Sequence, residues 1–483
     1  VALAAKYRCA CRKRTKNRGP KLTTADARDL PLTNVSEAER DIFERALGQF
    51  QTYTGDPVAT IEGVLAARPD FMLGHVMRAH LMLTATEKSL AAEVTKSLDA
   101  ADQLSKDATE RERMHLVAAR RWAAGDIEGA SSHLFDITVQ HPRDALALQV
   151  GHLSDFYLGN AGMLRDRVAS VLPAWDADVP GYHAVIGMQA FGLEENGAYR
   201  AAEDAGRRAV ELNSKDSWAI HAVAHVLEME GRHQDGIEWM GTRVPDWSED
   251  NFFAVHNWWH WALYHLDLGQ TEKVLQFYDE HIRAGRSAVV LDMLDASALL
   301  WRLNLLGIDV GSRWLELADC WAPLVDDGFY SFNDAHAMMA FVGAGRVDLA
   351  QANLSRLETA ASGNGTNARM ARDVGVPVAR AINAFGAARY DDAVEALLSV
   401  RYIANRFGGS NAQRDILAWT LVEAALRAGR FDLADSLCNQ RLAQKSTSLQ
   451  SWQMAARAHT GLGHGDAATR AQNQVDDIRS TIR

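Results

Sequence analysis

Ala190-Phe-Gly-Leu-Glu-Glu-Asn-Gly197-Ala-Tyr199-Arg-Ala-Ala202, running on to Ala209-Val210 and the polar stop Asn213-Ser-Lys-Asp216, is the clearest copy of a pattern that recurs along the chain. An apolar-periodic segment ends at a glycine, a short polar turn follows, and a second amphipathic segment begins. Aligned on that glycine, the turns fall at Gly125, Gly159, Gly197, Gly231, Gly269, Gly307, Gly345, Ala388, Gly429 and Gly463. The intervals are 34, 38, 34, 38, 38, 38, 43, 41 and 34. Glycine suits the point where a helix stops and its backbone turns left-handed. Small residues four or five positions after the turn (Ala201, Ala202, Ala350, Ala393, Ala434) let the second helix approach the first.

A period that starts at 34 and stretches by a few residues belongs to stacked helical hairpins, none of which buries its apolar face alone. Sustained period-two alternation is absent, and the chain has ten prolines. The expected fold is all-α, a tetratricopeptide-like α-solenoid of about ten hairpins forming one domain over residues 23–483.

With 483 residues, 47% hydrophobic and 23% charged, the chain can bury a large core and is not disordered as a whole. No apolar run reaches the ~18 residues that a spanning helix needs, so no membrane partner is expected. The net charge is -11, yet residues 1–21 hold eight Lys/Arg and no acid, which leaves about -19 on the rest. So acidic a body argues against nucleic acid as partner. Residues 1–22 read as a disordered tail or an artificial addition, outside the fold. The four cysteines (Cys9, Cys11, Cys320, Cys438) form no disulfide framework and suit a reducing cytosol, hence a cytoplasmic protein.

The chemistry-bearing residues gather in the first helices of consecutive hairpins. His221, His225 and Glu228 stand at i, i+4 and i+7, on one helix face, and His256 and His260 are again one turn apart. Two imidazoles so spaced chelate a divalent transition metal such as zinc, which makes His221, His225 and Glu228 a candidate ligand set. Acid/base work without a metal and plain polar packing remain open beside it. Asp292 and Asp295 precede the Gly307 turn, Asn333, Asp334 and His336 precede Gly345, and Arg372 precedes Ala388. His225, His260, His336 and Asp295 are the candidate catalytic groups, with the three histidines expected to converge on one cavity.

Trp258-Trp259-His260-Trp261 places three tryptophans on different sides of a helix, so one is expected to point inward, and Trp259 joins the candidate substrate contacts with Asn333 and Arg372. Phe407-Gly-Gly-Ser-Asn411-Ala-Gln-Arg414-Asp415 opens a helix. Ser410 with Gln413 fits a capping box, while Asn411 and Arg414 suit a bound carboxylate or phosphate. Large apolar residues in Trp314-Leu-Glu-Leu-Ala-Asp-Cys-Trp321, on an outer helix, suggest a homodimer.

Asp29–Asn34, Gly55–Gly63, His221-Ala-Val-Ala-His225-Val-Leu-Glu-Met-Glu-Gly231, His256-Asn-Trp-Trp-His-Trp261, Phe332-Asn-Asp-Ala-His336, Ala371-Arg-Asp-Val-Gly375 and Gly408–Asp415 together resemble the tetratricopeptide repeat protein 38 family. The resemblance runs from about residue 25 to the C-terminus, and it implies an all-α repeat fold with the motif residues in one site. It carries no reaction with it. From the residues themselves, the expectation is an interior pocket within 221–415 that binds or hydrolyses a small molecule, with metal assistance as one route. The competing reading is a non-catalytic scaffold that binds a peptide or protein.

Overall fold

A computed structural model describes residues 23–481, so the basic stretch 1–22 lies outside the described residues. The architecture is a tetratricopeptide-like α-solenoid. Twelve antiparallel helix pairs can be traced among the described residues, from Glu37–Thr52 with Pro57–Ala67 to Leu449–Gly461 with Gly465–Thr481. Strand structure there is confined to one short antiparallel hairpin, Thr23–Ala25 with Pro31–Thr33.

All ten aligned turn positions have positive φ, Ala388 included at 56°. The two pairs beyond the expected ten lie before Gly125. Their turns take positive φ at Tyr53 (61°) and Thr86 (57°), so no glycine marks them in the aligned register. Ala202, Ala350, Ala393 and Ala434 are buried where second helices meet first, whereas Ala201 faces outward.

The superhelix closes on itself. Gly125 O accepts from Thr366 N (2.9 Å), Leu266 O from the Gln450 side chain (2.7 Å), and Glu87 from Val290 N (3.1 Å). Lys445 pairs with Asp267 at 2.5 Å. These contacts join hairpins separated by some 180 to 240 residues, so they span the concave side. Two first helices run through the centre, buried all round over most of their length: every residue from Ser217 to Leu227 and from Ser331 to Phe341 is buried. One apolar cluster extends from Leu32 to Ala471, and a second surrounds Trp239, Trp247 and Tyr264.

Candidate functional site

Helices Ser217–Met229 and Ala254–Asp267 lie side by side in this interior, and their i, i+4 histidines interleave. The His221 and His256 Nε2 atoms are 3.1 Å apart, and those of His256 and His260 are 3.2 Å apart. His225 closes the group, with ring centroids 4.4 Å from both His221 and His260 and no hydrogen bond on either nitrogen. One donor atom from each of the four lies within 4.8 Å of the others.

Carboxylates hold the backs of these rings. Asp295 receives His256 Nδ1 at 2.9 Å, Glu228 faces His260 Nδ1 at 3.2 Å, and Glu194 lies 3.4 Å from His225 Nδ1. Burial pushes the imidazoles well down: His225 to about 4, and His221 and His260 well below the ordinary value, where neighbouring histidines add to the effect. Burial likewise raises Glu228 to about 7, Glu194 to about 8 and Glu195 to about 7, the last helped by the Glu194 charge. His221, His225 and His260 are therefore neutral at pH 7.

Beside the group is a cavity of about 540 Å³. Phe50, Tyr53, Phe156, Trp218, Phe253 and Leu294 supply much of its apolar wall, and its most polar stretch is His221, His256, Asp292 and Asp295. Phe252, Val289 and Leu291 line it as well and are 49, 50 and 38% exposed, which makes an apolar mouth. Burial raises Asp292 to about 6. On the other side, Glu228 lines a more polar cavity of about 800 Å³ with Arg302, Asp415, Arg441 and Lys445.

The remaining expected site residues are placed elsewhere. His336 is not part of the group that holds His225 and His260, and its Nδ1 lies 2.8 Å from the Phe332 carbonyl of its own helix. Asn333 donates to Thr86 (3.1 Å), and Arg372 sits half-exposed with a bond to the Ala361 carbonyl (3.2 Å). Trp259 is fully buried and stacks on His256 with centroids 5.3 Å apart, backing the ring rather than lining the cavity. Trp258 and Trp261 pack with Trp247 and Phe277.

The expected anion site at residues 408–415 holds a carboxylate of the chain itself. Asn411 N donates to Glu195 Oε1 at 2.8 Å, and Arg414 lies 3.5 Å from Glu195 Oε2 and bonds the Gly408 and Gly409 carbonyls. Glu228 belongs behind His260, so His256 and His260 complete the imidazole group in its stead. The outer helix Arg313–Trp321 turns Trp314, Leu317 and Trp321 into the core, leaving Leu315 53% exposed. Trp218, one turn before His221, was within reach of a sequence reading, whereas Tyr53 and Phe50 come from a helix some 170 residues away and carry no local signal.

No protein-family model matches the chain. Among solved structures, it is similar to a human IFIT1 dimer with PPP-AAAA, at 14% identity over 92% of this chain and 95% of that one, TM-score 0.41. It is also similar to yeast Tom70, at 11% identity over 86% and 85%, TM-score 0.34. No helix among the described residues is long and apolar enough to cross a membrane.

Proposed function

We propose that the chain binds a small, largely apolar molecule in the 540 Å³ cavity and hydrolyses it at the wall formed by His221, His256, Asp292 and Asp295. The observation that carries this reading is the coincidence of the cavity's polar wall with a group of four clustered imidazoles. An imidazole anchored by a carboxylate, beside the raised Asp292 carboxyl, is suited to activate water, while the aromatic lining holds the apolar part of the substrate. The contacts across the interior, Gly125 with Thr366 and Leu266 with Gln450, favour a compact ligand over an extended peptide. Membership of the tetratricopeptide repeat protein 38 family is part of the proposal, on the motifs His221–Gly231, His256–Trp261 and Gly408–Asp415. So is a reducing compartment, which suits the free Cys320 and Cys438.

Neutral p-nitrophenyl esters of increasing acyl length provide the test. Wild-type turnover should exceed that of His256→Gln and Asp292→Asn by about 10²-fold or more, the scale of positioned acid–base or water-activating groups. Equal rates in the three proteins, zero included, would overturn hydrolysis at this wall.

A second reading rests on the outer surface, where Leu315 and Val347 are 53 and 76% exposed. It makes the solenoid a non-catalytic scaffold whose second helices dock a protein or a second copy, and it expects Leu315→Glu with Val347→Glu to abolish association without altering the interior.

A further inference from the structure

We propose that His221, His256 and His260, with His225 as a fourth donor, form a binding site for a divalent transition-metal ion of the zinc class. The inference deepens the function proposed above, and its test reads the metal itself, so the two fail separately.

Proton positions carry the first step. With His256 Nδ1 2.9 Å from Asp295 and His260 Nδ1 3.2 Å from Glu228, each ring would donate its Nδ1–H where the partner is an ionised carboxylate. The Nε2 atoms of both are then bare acceptors, and they face each other at 3.2 Å. His221 Nε2, 3.1 Å from His256 Nε2, can supply one proton to this gathering, and one N–H cannot serve every lone pair. A cation in the middle satisfies all of them at once.

Distance carries the second. Zinc–nitrogen bonds of about 2.0–2.1 Å in a tetrahedron set the nitrogens about 3.3–3.4 Å apart. The observed edges of 3.1 and 3.2 Å are within a few tenths of that.

The surroundings carry the third. Metal-bound histidines characteristically give their other N–H to a carboxylate, which fixes the ring and raises its basicity. Asp295 behind His256 and Glu228 behind His260 repeat that arrangement on two of the four rings, and Glu194 lies 3.4 Å from His225 Nδ1. His225 is 0% exposed with no hydrogen bond on either nitrogen, His221 Nδ1 likewise has none, and such groups are costly in a folded interior unless a ligand uses them. An all-imidazole set selects zinc, copper or nickel over calcium or magnesium. His221 and His256 also line the apolar cavity, so an ion there would sit at the substrate wall, where its contribution is to lower the pKa of water.

The experiment uses untagged full-length protein treated with chelator and titrated with Zn(II) by calorimetry, then with Co(II) by visible spectroscopy. One equivalent of Zn(II) should bind, with the strong visible absorption of low-coordinate Co(II) and a rise in melting temperature. His256→Gln and His260→Gln should lose that equivalent, Glu228→Gln should weaken it by about 10–100-fold as expected of a positioning residue, and the exposed-site control His464→Gln should not. Zn(II) binding by the wild type no tighter than by His256→Gln, or a six-coordinate Co(II) spectrum, would overturn the site. The wild-type titrations need no variant to fold, and ester turnover measured in parallel on metal-free protein separates the two readings.

Discussion

Glu194 is a carboxyl with 0% exposure and no hydrogen-bond partner on either oxygen. Burial raises it to about 8, with the Arg414 charge acting the other way, and burial also holds Glu195 and Asp334 at about 7. In the unfolded chain these groups titrate near 4. Between those values the folded state keeps protons that the unfolded state has lost, so their contribution to stability falls as pH rises through about 7–8. His80 and His152, held near 3 by burial, act oppositely, but only below about 6.5 where the unfolded histidines charge. Urea unfolding of chelator-treated protein should therefore show lower stability at pH 8.5 than at pH 6.5. Glu194→Gln, which cannot ionise, should shrink that difference by about 2 kcal/mol. An unchanged difference would mean that Glu194 is already ionised at pH 6.5.

At the scale of the element, the turn glycines do two jobs that a matched pair of substitutions separates. Gly159 and Gly197 both have positive φ, 62° and 77°. A Cβ on Gly197 would meet nothing within 4 Å, whereas one on Gly159 would lie 1.8 Å from the Asn405 carbonyl oxygen of a distant hairpin. Gly197→Ala should cost about 1–2 kcal/mol for the left-handed backbone alone. Gly159→Ala should cost clearly more, because the contact that closes the superhelix must shift. Equal losses on urea unfolding would show that the closing contacts are slack. The repeat was legible because this turn needs the same backbone each time, and the earlier turns at Tyr53 and Thr86 escaped because other residues supply the same φ.

At the scale of the molecule, what the sequence displayed and what it hid divide along one physical line. Periodicity within a helix put His221 with His225 and His256 with His260, and adjacency of repeats brought the two pairs together. Closure of the superhelix is a long-range property, so it was invisible. It brings Phe50 and Tyr53 to the cavity that His221 lines, and it gives Asn333 to Thr86 and Asn411 to Glu195 as structural partners. His336 shared a helix layer with the others without sharing their wall, since layer is read from sequence and direction within the layer is not.

That closure is also why an interior cavity, rather than a groove, is central to the account. A crystallographic screen of neutral aryl and alkyl fragments tests it most directly. Fragments should occupy the 540 Å³ cavity, packed on Trp218 and Phe253 and reaching His256. Fragments found only on the outer helices, around Leu315 and Val347, would contradict it.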